Sequence, residues 1–140
     1  MTINLNLDAI GNAFFLLASM FFMHVVADFN LQGIMASMKQ KTWWQKQEGY
    51  DEEDNGSDYK FPLFWHSIQW SFCIMLPLFI ANGLKINLVG LIFFCLNIWW
   101  HYKTDDAKAN KYFLNLVDDQ IIHILQIVAT FIGCEIWMWF

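Results

Sequence analysis

The stretch "HYKTDDAKANKYFLNLVDDQIIHIL", His101–Leu125, sets four acids, three lysines and two histidines between two apolar segments. An α-helix crosses the hydrocarbon core of a bilayer with about 20 apolar residues, and the runs on either side approach or exceed that length. The stretch therefore reads as a polar rim where one span leaves the membrane and the next enters it. It is bracketed by two His-Asp pairs at i,i+4: His101 with Asp105, and Asp119 with His123.

The rest of the chain supports a membrane setting. Of its 140 residues 57% are hydrophobic and 19% aromatic, with eight tryptophans, too apolar for an ordinary soluble domain of this size. The net charge of −5 describes one segment more than the fold, because nearly half of the acids fall in Glu48–Asp58. There is no basic stripe, so nucleic-acid binding has no support. Cys73, Cys95 and Cys134 sit singly in apolar segments without metal-ligand spacing and read as thiols packed among helices.

Four spans are expected, at about Ala9 to Phe29, Leu63 to Asn82, Ile86 to Tyr102 and Leu114 to Phe140. Together they give an all-α polytopic membrane protein, one four-helix bundle over residues 1–140. The N-terminus lacks a basic leader region and a small-residue cleavage site, so the first run reads as a retained span. Pro77 lies inside the second span. The connection "NGLKIN" is tight and makes spans two and three antiparallel neighbours. The stretch "GIMASMKQKTWWQK" (33–46), which runs into loop 35–62, is an expected interfacial helix anchored by Trp43 and Trp44, followed by an acidic loop.

All eight basic residues are lysines: Lys39, Lys41, Lys46 and Lys60 in loop 35–62, Lys103, Lys108 and Lys111 in loop 103–113, and Lys85 alone on the other side. The positive-inside tendency places both large loops in the cytoplasm and both termini outside, in a bacterial or host inner membrane. Trp99 and Trp100 then mark the inner interface, Trp137 and Trp139 the outer one, and interface anchoring is the general reading of the tryptophans.

This topology brings the four histidines to one depth. His24 ends span one, His66 opens span two, His101 ends span three and His123 lies early in span four. Three have an aspartate on the same helical face: His24 with Asp28, His101 with Asp105, and His123 with Asp119. Ionisable groups inside spans are costly and turn toward the bundle interior, where they pair or bind something. The expected ligands are His24, Asp28, His101, Asp105, Asp119 and His123, with His66 as a further ligand or general acid/base. Nitrogen and carboxylate donors without thiolate suit zinc, manganese or iron, as one ion or two.

Gln32, Gln69, Gln120 and Asn115 are candidates to hydrogen-bond these ligands. Lys108, with Lys39 or Lys41 across the site, is a candidate for neutralising a substrate phosphate. Asp106 and Asp118 adjoin the paired acids and point about 100° away, as solvated or supporting groups.

Four ordered motifs, "HVVADFNLQ" (24–32), "FWHSIQW" around His66, "HYKTDDAKA" (101–109) and "DDQIIH" (118–123), resemble a family of small bacterial and phage integral membrane proteins of unknown function. The likeness covers nearly the whole chain apart from the acidic loop, and is looser to metal-dependent hydrolases of the bacterial inner membrane. This chain departs in its acidic insertion and in offering only His66, without a carboxylate, from span two.

The favoured expectation is a metal-dependent membrane hydrolase acting on a phosphoester or lipid-linked substrate at the cytoplasmic face. The alternative is a non-enzymatic phage or bacterial membrane protein that modulates the envelope, with a structural metal and a partner, or a second copy of itself, bound through the acidic loop. A proton or ion transporter ranks below both, since the outer halves of spans two to four are nearly all apolar.

Overall fold

The computed structural model describes residues 7–138, with side chains through residue 136. Trp139, and the side chain of Trp137, expected at the outer interface, lie outside the described residues. The protein is all-α. Its long helices are α1 (Leu7–Val25), α5 (Lys60–Ala81), α6 (Leu88–Ala109) and α7 (Leu116–Met138); between α1 and α5 lie three single turns, α2 (Met35–Met38), α3 (Lys41–Trp44) and α4 (Glu52–Asn55).

Helix α1 does not end in a simple cap. A π-helical turn, Val26–Asn30, continues it, closed by the Leu31 amide donating to the Val26 carbonyl at 2.9 Å. Such widened turns recur at functional sites, and this one carries Asp28, whose Oδ2 stays 3.5 Å from His24 Nδ1. Helix α5 takes Pro62 in its first turn, where proline is tolerated, and accommodates Pro77 further along. Helix α6 is capped by Asn87, whose side chain accepts from the Gly90 amide at 2.7 Å. Asn115 opens α7 by accepting from the amides of Val117 and Asp118 at 2.8 and 2.9 Å.

Helix α5 packs against α1, α6 and α7, and α7 in turn touches α1 and α6. The apolar core lies along α5, from Trp70 through Ile74, Met75 and Leu78, with Met20 from α1 and Ile127 from α7. By contrast Phe14, Phe15 and Phe22 of α1, Leu91 of α6 and Leu125 of α7 face outward, an arrangement suited to lipid rather than water. Among the described residues, three segments are long and apolar enough to cross a membrane: Leu7–Asn30, Glu52–Ala81 and Leu116–Ile136.

Several details depart from the sequence reading. The polar rim 103–113 is not a loop from its start, because α6 runs on to Ala109; "KTDDAKA" contains no breaker, and helix continuation keeps Asp105 on the His101 face. The segment after Met35 is two separate turns, not one interfacial helix. The backbone turns extended at Gln40, where Asn110 grips both sides, accepting from the Lys41 amide at 2.7 Å and donating to the Lys39 carbonyl at 3.1 Å. The acidic loop holds α4, capped by Asp51 accepting from the amides of Glu53 and Asp54. Cys73 and Cys134 are buried, but Cys95 is exposed on the outer face of α6.

Candidate metal centre

The ends of α1 and α6 and the starts of α5 and α7 meet in one layer, and all four histidines lie in it. His101 and His123 stack with ring centroids 4.3 Å apart, and His66 and His24 flank them at 5.1 Å from His101 and 5.6 Å from His123. His66, His101 and His123 are fully buried. The missing carboxylate partner of His66 is supplied from other helices: its Nε2 lies 3.2 Å from Asp28 Oδ1 and 3.5 Å from Asp105 Oδ2.

Two overlapping groups have the geometry to chelate an ion: Asp28, His66 and His101, and His101, Asp105 and His123. In the second, Nε2 of His101 stands 3.6 Å from Asp105 Oδ2, and Nε2 of His123 stands 3.5 Å from Asp105 Oδ1 and 3.4 Å from Asp119 Oδ1. These separations are long for hydrogen bonds. Two donors each about 2.1 Å from a tetrahedral ion stand about 3.4 Å apart, whereas neighbouring donors on an octahedral ion of magnesium size stand about 3.0 Å apart.

The hydrogen-bond inventory tests the fit. Nε2 of His101, Nε2 of His123 and Oδ1 of Asp119 are buried with no hydrogen-bond partner among the described residues. Buried polar atoms are normally paired, and an unpaired one costs about 1–3 kcal/mol. The two Nε2 atoms that converge on the Asp105 carboxylate, with Asp119 Oδ1 3.4 Å from His123 Nε2, are the atoms a cation in this layer would ligate.

His24 is placed differently. Its Nδ1 accepts the indole N–H of Trp70 at 2.9 Å, and its Nε2 faces Gln120 Oε1 at 3.1 Å. Both ring nitrogens are engaged, and His24 belongs to neither chelating group. The Gln120 amide nitrogen in turn reaches Asp119 Oδ2 at 3.1 Å and Asp28 Oδ2 at 3.5 Å. Gln32 donates to the main-chain oxygen of Asp28 and lies 3.4 Å from its Oδ1.

Two lysines close the layer. Lys39 Nζ pairs with Asp105 Oδ2 and Lys108 Nζ with Asp119 Oδ2, both at 2.6 Å. Lys41 turns away and pairs with Glu52 instead. Asn115 caps α7 and is exposed, and Gln69 reaches only the Leu31 carbonyl, at 3.4 Å, so neither supports the layer. Asp106 is buried, not solvated; it takes the Asn110 side chain at 3.1 Å and Lys111 at 2.6 Å, and its carboxylate holds the Lys111 ammonium above the ordinary lysine pKa.

Sequence reasoning missed Trp70, treated with the other tryptophans as an interface anchor. It is fully buried, donates to His24, and lies parallel to His101 with centroids 4.2 Å apart. Its position four residues after His66, on the same face of α5, was the available signal. No protein-family model matches the chain, and neither a curated protein nor a solved structure matches it.

Proposed function

We propose that this chain is a metal-dependent hydrolase of the inner membrane, acting at the cytoplasmic face on a phosphoester carried by a lipid or lipid-linked substrate. The observation that carries the metal is the convergence of the unpartnered Nε2 atoms of His101 and His123 on Asp105. One ion on His101, Asp105 and His123, with Asp119 in reach, uses the atoms that lack partners. The donor set and its spacing favour zinc over manganese or iron. A second ion at Asp28 and His66 is the dinuclear variant, although the single His101 Nε2 can serve only one of the two.

Charge favours an anionic substrate. Three carboxylates, Asp28, Asp105 and Asp119, face two ammonium groups, Lys39 and Lys108; with neutral imidazoles the layer carries one negative charge, and one divalent ion reverses it. When bound, such an ion supplies Lewis acidity and a water acidified to about pKa 7. His66 holds or moves a proton, oriented by Asp28 at 3.2 Å, and Lys39 and Lys108 bind the phosphate oxygens.

In the bilayer α6 crosses as a fourth span, with its polar last turns at the cytoplasmic rim beside the lysine-rich loops, and both termini lie outside. The four motifs support placing the chain with the small bacterial and phage membrane proteins they resemble. The complete burial of three histidines favours a second reading, in which the ion is structural and the acidic loop contacts a partner.

Elemental analysis of detergent-purified protein, paired with phosphate release from vesicles containing a lipid phosphomonoester, separates the two. The hydrolase reading expects about one zinc per chain and turnover that His66→Ala abolishes while the zinc stays. Zinc without turnover on any phosphoester would leave the structural reading, and no zinc in protein never exposed to chelator would end both.

A further inference from the structure

One helical turn outward from the stacked His101 and His123 lies a second polar cluster, inside the apolar part of the fold. Asn97 precedes His101 by four residues on α6, and Gln126 follows His123 by three on α7, so each shares a helix face with its histidine. Asn97, Gln126 and Thr130 are all buried. The Gln126 amide nitrogen donates to the Asn97 carbonyl at 3.0 Å and to Asn97 Oδ1 at 2.8 Å, and Thr130 Oγ1 donates to the same Oδ1 at 3.0 Å.

The main-chain oxygen of Asn97 can only accept, so the Gln126 atom facing it is the nitrogen. Asn97 Oδ1, which receives that nitrogen, is then fixed as well. This orientation leaves the Asn97 side-chain nitrogen and Gln126 Oε1 buried without partners among the described residues. The Nδ1 atoms of His101 and His123 are in the same state.

Three of these unpartnered atoms, on adjacent turns of two packed helices, form a complementary set once an ion is considered: the two histidine Nδ1 atoms and Gln126 Oε1. A neutral imidazole that gives Nε2 to a metal carries its proton on Nδ1 and hands that proton to an outer acceptor. His101 and His123 then present two N–H donors, which fill the two accepting positions of a water, and Gln126 Oε1 accepts a proton from it, while Asn97 fixes the orientation of the Gln126 amide through its two oxygens. A water molecule accepts twice and donates twice, and buried waters typically join about three otherwise unsatisfied groups.

We propose that Asn97 and Gln126 build an outer site for a buried water that receives the Nδ1–H of the ligand histidines, making Gln126 a positioning residue of the metal centre. This inference rests on the metal reading of the layer but not on hydrolysis. It also assigns a role to polar residues in the apolar half of the spans without a path across the membrane.

The test is zinc affinity by chelator competition, together with imidazole ¹⁵N–¹H spectra of detergent-purified wild type, Gln126→Leu, Gln126→Glu and Asn97→Leu. Wild type should show exchange-protected Nδ1–H signals from two histidines on zinc loading. Gln126→Leu should weaken zinc binding about 10- to 100-fold and lose that protection, while Gln126→Glu, which keeps an acceptor, restores most of both. Asn97→Leu, should Gln126→Leu fail to fold, must show the same loss of protection. Unchanged affinity and protected signals in the leucine variants would overturn the proposal, as would equal losses in Gln126→Leu and Gln126→Glu. A wild type that binds no zinc would instead overturn the metal centre itself.

Discussion

The indole N–H of Trp70 points at Nδ1 of His24, 2.9 Å away. An indole nitrogen only donates, so Nδ1 is the unprotonated nitrogen, and Nε2 carries the hydrogen donated to Gln120 Oε1 at 3.1 Å. Gln120 then directs its amide nitrogen at Asp119 and Asp28. The proton polarity of the whole chain from Trp70 to the two carboxylates is set by one donor-only group, and His24, with both ring nitrogens engaged, is placed to orient Gln120 toward those carboxylates.

Trp70→Phe keeps a ring against His101 and removes only the N–H. It should cost about 1–3 kcal/mol of stability for the lost buried hydrogen bond and weaken zinc binding, while retaining about one equivalent of bound zinc at saturation. Thermal unfolding and zinc titration in detergent check this. Loss of zinc at saturation in both Trp70→Phe and His24→Gln would make His24 a ligand after all.

His101 belongs to both chelating groups, whereas His66 and His123 each belong to one. For an ion on His101, Asp105 and His123, elemental analysis should find essentially no zinc in His101→Ala, strongly reduced zinc in His123→Ala, and zinc retained in His66→Ala. The reverse order for the last two would move the ion to the Asp28 side.

Bound zinc should also stabilise the folded protein, because the ligand atoms are held together only there. At a free concentration one hundred times the dissociation constant the gain is about 2.7 kcal/mol. Unfolding midpoints recorded with zinc, after chelator and after zinc is returned should fall and recover. An unchanged midpoint would mean that the layer binds no ion in the folded state.

The layer was legible in the sequence because i,i+4 spacing is a local rule: the His101–Asp105 and Asp119–His123 separations of 3.6 and 3.4 Å follow from helix geometry alone. Contacts made across helices were not legible. Spacing along α5 does not reveal that Asp28, which keeps its i,i+4 contact with His24 at 3.5 Å, also meets His66, or that Lys39 rather than Lys41 turns inward. Asn97 and Gln126 gave a readable signal, two amides in apolar runs, but only the packing of α6 on α7 shows that they pair with each other. The extension of α6 to Ala109 was hidden by charge, since "KTDDAKA" reads equally as a rim loop or as the last turns of a helix.

Far from the two stacked histidines, α6 and α7 meet again where Phe93 packs over Gly133. A Cβ built on Gly133 would stand 2.1 Å from Phe93 Cζ, well inside contact distance, so the Phe93 ring occupies the space a side chain would need. Small residues let helices approach closely in membranes, and here the absent side chain admits an aromatic one. Gly133→Ala should therefore displace Phe93 and destabilise the protein by about 1–3 kcal/mol, with a larger effect for Gly133→Leu. Because α6 and α7 together supply His101, Asp105, Asp119 and His123, splaying them should also lower zinc affinity from a distance. Adding Phe93→Leu to Gly133→Ala should recover part of both losses by freeing the same volume. Unfolding midpoints and zinc titrations on the two single variants and the double variant measure the coupling; purely additive losses would mean that Phe93 and Gly133 do not set the spacing of the two helices.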